Sequence, residues 1–178
     1  MKKISYLTLI FLFLSLGTFA QNDEVIDVEV FSTLTIKGSF NVILNTGNPY
    51  LRLGDNVDSN IKVKNEDGIL TITSEQGKDV LQDLYINSPG LENINLEIDG
   101  NLTVNKNALA FSTLNFNAKV KGYTKLALSG EIFVGNFNNC GKITMKGKVD
   151  KLYLNLMDSK TLNTKFLTAK AQFVTQEY

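Results

Sequence analysis

The chain of 178 residues contains no histidine and no tryptophan, one cysteine, one arginine and two prolines. Each shortage removes a class of chemistry. Without histidine there is no His-based zinc site and no Ser–His or Cys–His nucleophile pair. One cysteine, Cys140, permits no disulfide framework within a single chain and reads as a small core residue. Lysine plus arginine equals aspartate plus glutamate at 18 each, so no net field draws the chain to nucleic acid. No cofactor motif appears.

What is present begins with an export signal. Lys2 and Lys3 precede the almost wholly apolar stretch Ile4–Leu16, and Gly17-Thr18-Phe19-Ala20 offers small residues at −3 and −1 of a cut after Ala20. Ile4–Ala20 also reaches the lower length limit of a spanning helix, ~17 residues, but the cleavage site follows directly. Residues 1–20 are therefore expected to be removed, leaving no stable membrane insertion. Gln21 stands where a lipoprotein would carry cysteine. Residues 21–178 are expected to form one domain, long enough to withdraw roughly two-thirds of its surface. The destination is the periplasm, the cell surface or the medium.

The remaining sequence alternates with a period of two. Leu34-Thr35-Ile36, Ile61-Lys62-Val63, Ile94-Asn95-Leu96-Glu97-Ile98, Leu114-Asn115-Phe116 and Leu152-Tyr153-Leu154 are among many such runs, and no sustained helical stripe occurs. Val28-Glu29-Val30 alternates too, and residues 76–84 have room for a helical turn. Asp67-Gly68 between two runs predicts a tight hairpin. Pro49 and Pro89 fall between strands. From Leu91 a loose repeat pairs Ile94/Leu96 with Leu114/Phe116, Ile132/Val134 and Leu152/Leu154, at offsets of 20, 18 and 20 residues. Units this short, which cannot bury their own apolar residues, are the mark of a solenoid. The expected class is all-β, a right-handed parallel β-helix with a less regular N-terminal β section. A β-sandwich or a small β-barrel is the alternative. An outer-membrane barrel would need alternation over roughly 9–11 residues per strand, longer than these runs.

The stretch Phe31-Ser32-Thr33-Leu34-Thr35-Ile36-Lys37-Gly38-Ser39-Phe40-Asn41-Val42-Ile43-Leu44 resembles the opening of the head GIN domain family, described as putative auto-transporter adhesins. Asp67-Gly68-Ile69-Leu70-Thr71-Ile72 and Leu84-Tyr85-Ile86-Asn87-Ser88-Pro89-Gly90-Leu91 are similar to later strands of that family, and the likeness runs from about residue 26 to 174. It implies an exported β-helical protein and brings no catalytic or binding residues with it. Where members often repeat a Gly-Ser-Gly turn, this chain has Asp99-Gly100-Asn101, Ser129-Gly130-Glu131 and Cys140-Gly141-Lys142.

Candidate contact residues come from charge and aromatics. Residues 21–100 carry five basic and fourteen acidic side chains, and residues 101–178 carry eleven and four. Lys119, Lys121, Lys125, Lys142, Lys146 and Lys148, with Lys151, would line a basic face on stacked coils. Tyr123 and Tyr153, with Tyr50 and Tyr85, could stack on sugar rings. Asparagines from Asn93 to Asn139 suit corners and stacked amide ladders, and their amides could also bind sugar hydroxyls. Asp55 and Asp58 offer oxygens to a hard cation, but the loop lacks the closing Glu and the Gly of an EF-hand. Glu97, Asp99 and Glu131 could supply a hydrolytic carboxylate pair, though no spacing singles them out, and a lyase would have Arg52 as its sole arginine. The expected function is non-enzymatic surface contact with a glycan or other envelope polymer. The alternatives are a polysaccharide-acting enzyme on the same scaffold, or a structural protein that associates with itself through oppositely charged ends.

Overall fold

The computed structural model describes residues 24–54, 60–77, 80–159 and 161–177. The N-terminal strands are short: β1 (Glu24–Asp27), β2 (Thr33–Gly38), β3 (Phe40–Asn45), β4 (Tyr50–Leu53), β5 (Lys62–Glu66), β6 (Ile69–Thr73) and β7 (Gln82–Asn87). β8 (Asn93–Ile98) and β9 (Leu102–Val104) lead into four long strands, β10 (Leu109–Val120), β11 (Thr124–Asn138), β12 (Lys142–Met157) and β13 (Thr161–Glu177). Together they make one strongly curled sheet wound round an axis, a β-solenoid. Sandwich and barrel are excluded, because successive coils pair in parallel rather than meandering back.

Three walls can be traced through the pairing. The first stacks β6, β2, β8 and the C-terminal halves of β10 to β13; the second stacks β7, β3, β9 and the N-terminal ends of β11 to β13. A third begins at Leu109–Phe111 and continues through Leu128–Gly130 and Gly147–Val149. The long strands bend through the corners without losing their ladder, which the short alternating runs had not suggested. Stacking order departs from chain order once: the β2–β3 rung lies between the later β6–β7 and β8–β9 rungs. Antiparallel strands cover the N-terminal end, with β5 on β6 and with β4 and then β1 on β7. The hairpin from β5 to β6 turns at Asp67-Gly68, both at positive φ, as the dipeptide predicted.

Inward side chains form columns. Leu34, Ile94, Phe116, Gly135 and Leu154 occupy one such column on successive rungs of the first wall. Gly135 leaves room for two rings: Phe133 and Phe137 lie 5.8 and 5.5 Å from Phe116, and a Cβ on Gly135 would come within 2.6 and 2.7 Å of them. Each fully buried ring of this kind contributes on the order of 1.5–3 kcal/mol of transfer free energy. A second column stands at the corner between the first and second walls, where Gly100, Gly122 and Gly141 stack. A Cβ on any of them would collide with a backbone carbonyl of the preceding rung: Phe40 for Gly100, Gly100 for Gly122, Gly122 for Gly141. Two of these are the glycines of the Asp99-Gly100-Asn101 and Cys140-Gly141-Lys142 turns.

Three expectations need correction. Phe133, not Ile132, points inward and pairs with Leu114 and Leu152, so the third repeat is shifted by one residue and Ile132 and Val134 face out. Apolar residues of both parities occur there, and ring volume decides which set is buried. Residues 82–84 belong to β7 rather than to a helical turn, because Leu84 and Ile86 complete the second wall. Val28–Val30 is not a strand; Glu24–Asp27 pairs with β4 instead.

Phe116 is fully buried and Asn115 is exposed. Phe116→Asp is expected to abolish soluble folding, since even a Phe→Ala cavity costs roughly 3–5 kcal/mol, whereas Asn115→Asp leaves the denaturant midpoint nearly unchanged. Gly122→Ala should cost ~1–3 kcal/mol through overpacking against the carbonyl of Gly100, measured in the same titration.

Candidate functional site

The outer surface of the first wall is the most regular feature of the molecule. Because side chains alternate across a strand, every second residue of each rung points outward and stacks on its equivalents. The middle outward column runs Thr71, Thr35, Asn95, Asn117, Asn136, Asn155 and Thr175. Its amides are linked: Asn117 Nδ2 donates to Asn95 Oδ1 at 2.9 Å, and Asn136 Nδ2 donates to Asn117 Oδ1 at 2.9 Å. A neighbouring pair repeats the pattern, Asn115 Nδ2 donating to Asn93 Oδ1 at 3.2 Å. A primary amide has two N–H donors and two acceptor lone pairs, so each residue in the ladder keeps a donor and an acceptor for something else. At the last amide of the column, the buried Oδ1 of Asn155 accepts no hydrogen bond from the described residues.

Along this column lies an open groove of about 650 Å³. Beside the amides, Glu97 sits between Lys37 at 2.9 Å and Lys119 at 3.3 Å. Lys37 first, then Lys119 and Gln76, hold the Glu97 carboxyl down from 4.5 to about 2. Asp99, at the adjoining corner, receives Lys121 at 2.6 Å, the Gly77 N–H at 2.7 Å and the Ser39 hydroxyl at 3.0 Å. Lys121 above all, with that N–H, keeps its carboxyl below the ordinary value of 3.8. On the other side of the amides, Tyr153 and Phe173 stack with centroids 5.1 Å apart and planes 7° from parallel.

The residues singled out in the sequence are distributed around the coil rather than gathered. Lys119 and Tyr153 lie on the first wall. Lys121 is at the corner, engaged with Asp99. Tyr123 follows it, with Lys125 Nζ 4.3 Å from its ring centroid. Lys142 opens the second-wall stretch of β12, and Lys146 and Lys148 stand at its turn into the third wall, all exposed. Asp55 and Asp58 lie outside the described residues; among those described, no cluster of metal-ligating side chains occurs. Glu97 and Asp99, tied to lysines and held ionised, have the opposite of the raised pKa that a general acid requires, and Glu131 lies further along the coil. Cys140 is buried, donates Sγ–H to the Ala118 carbonyl at 3.3 Å, and has its pKa pushed up by burial, which makes the thiol inert. The groove itself was missed as a site, although its asparagines were visible as ladder formers; the registers of 22 and then 19 residues that align them appear only once the coils are stacked.

Comparison with known proteins gives a family and a fold. The family model described as "Putative auto-transporter adhesin, head GIN domain" matches residues 30–175. Among solved structures, a putative adhesin from Bacteroides fragilis NCTC 9343 is similar at 16% identity and a TM-score of 0.50, covering 86% of this chain and 93% of that one. A putative adhesin from Parabacteroides distasonis ATCC 8503 aligns at 9% identity and a TM-score of 0.47, over 86% of this chain and 77% of that one. A protein of the same organism described as a putative lipid binding protein aligns at 16% identity and 0.44 over the same shares. At 16% identity the likeness to the Bacteroides fragilis protein is one of fold. No curated protein matches the sequence.

The two lowered carboxyls make stability depend on acid. Each contributes stability that is complete above its unfolded pKa, near 4, and drains away as pH falls through the folded value. Denaturant titrations near pH 7 and near pH 3 should therefore show a drop, and Asp99→Asn should be less stable near pH 7 with a shallower acid limb.

Proposed function

We propose, for a chain that belongs to the head GIN domain family of putative auto-transporter adhesins, that the outer surface of the first wall is a contact face for an elongated, uncharged polysaccharide of the envelope or its surroundings. The domain is exported and adhesin-like, and acts by binding rather than by turnover. The observation that carries the ligand class is the amide column in its groove. A polymer laid along the solenoid axis meets an amide on each of four successive rungs, Asn95, Asn117, Asn136 and Asn155, at the ~4.8 Å strand spacing, with threonine hydroxyls on the rungs that flank them. Hydroxyl groups, each both donor and acceptor, suit that surface. Each lysine bordering the groove, Lys37, Lys119 and Lys121, is paired with Glu97 or Asp99, so little free charge is left there to attract an anion.

A second reading rests on Lys125, Lys142, Lys146 and Lys148, together with Tyr123. These lysines are exposed and make no ion pair among the described residues, and they suit an acidic polymer.

A glycan array with neutral and acidic polymers separates the two. Neutral binding is expected, insensitive to salt, and weakened at least about tenfold, or ~1.4 kcal/mol, by Asn117→Ala with Asn136→Ala, while the melting temperature changes little. Binding only to acidic polymers, lost in salt or on Lys142→Glu with Lys146→Glu, supports the second reading. Binding to no polymer of either kind defeats both.

A further inference from the structure

The two ends of the solenoid differ. At the N-terminal end the edges are two short antiparallel additions, β5 on the first wall and β1 on the second. At the other end β13 runs for 17 residues with β12 as its partner, and its outer edge is unpaired among the described residues. Phe166 and Phe173 are 68% and 57% exposed there, and the stacked Tyr153–Phe173 pair leaves one face of Phe173 directed off the end. An open edge of this length with apolar side chains along it invites another strand.

We infer that this edge docks onto the N-terminal end of a second copy of the chain, head to tail. Charge selects the occupant. The rungs nearest β13 carry the exposed Lys142, Lys146, Lys148 and Lys165, none in an ion pair among the described residues. Two such ends brought together would repel, whereas the N-terminal end exposes Asp27, Glu29, Glu66 and Asp67 against Lys62 and Lys64. Register supports the same match. Continuing the first-wall columns across the joint places Thr175 opposite Lys64 and Glu177 opposite Lys62. Continuing the second wall places Asn163 opposite Val25, and Asp27 beside Lys165 and Phe166. Two pairs of opposite charge thus meet, and the exposed Val25 meets the β13 edge. A head-to-tail contact of this kind does not close on itself, so copies add without limit into a filament. The inference is independent of what the first wall binds.

Sedimentation velocity of the purified protein tests it. At low salt, larger species should appear as concentration rises, and they should dissolve near 1 M salt, where the screening length is about 3 Å. Glu177→Lys should weaken association, and adding Lys62→Glu to the same chain should restore it; both sites are exposed, so melting should be unaffected. Thr175→Cys mixed with Lys64→Cys should form a disulfide between chains, since neighbouring strands bring Cα atoms within the ~4.4–6.8 Å that the bond needs. A protein that stays single at every salt overturns the inference. So does a Glu177→Lys variant that Lys62→Glu fails to rescue, or Thr175→Cys that links to itself in preference to Lys64→Cys.

Discussion

No rung of this molecule has an inside of its own. A single coil presents two or three inward side chains per wall, and these leave water only when the rung above and the rung below cover them. Register between neighbours is consequently the constraint from which the rest follows. A slip of one residue would turn a whole inward set out. Two features hold it. Bulky inward columns, with the Phe116, Phe133 and Phe137 rings meeting over Gly135, fit in one alignment. Corner glycines admit the carbonyl of the preceding rung at Gly100, Gly122 and Gly141 and exclude any larger residue at those points.

The same constraint explains the outer surface. Once inward residues are aligned, outward ones are aligned too, and chemistry that looks scattered along the chain becomes linear. Asn95, Asn117 and Asn136 stand 22 and 19 residues apart in sequence and within one hydrogen bond of each other in space. Lys37, Glu97 and Lys119 become a row of alternating charge by the same route. The carbohydrate reading depends on this regularity more than on any individual side chain.

Strand character, hairpin chemistry and the stacked architecture were legible from local pattern, because alternation and Asp67-Gly68 act over a few residues. The parity of Ile132-Phe133-Val134 was not, since hydrophobicity alone does not distinguish three consecutive apolar residues; the space beside Phe116 does. Nor was the groove. Its asparagines have ordinary local explanations as turn formers, and their alignment depends on loop lengths that alternation does not weigh. Lys119 and Lys121 were read as free cations because their partners, Glu97 and Asp99, lie one rung away and more than twenty residues upstream.

The displaced second rung bears on biogenesis. β2 and β3 are sandwiched between strands that follow them in the chain, with β3 flanked by β7 and by β9. A polypeptide threaded through a membrane N-terminus first therefore delivers its earliest core strands well before both of their neighbours, and closing those contacts carries the delay of long sequence separation. Coils from β10 onward, by contrast, can each be laid on a finished predecessor as they emerge. The stretch from Thr33 to Val104 thus stays unfinished until β8 and β9 are in place, and only then can winding proceed turn by turn.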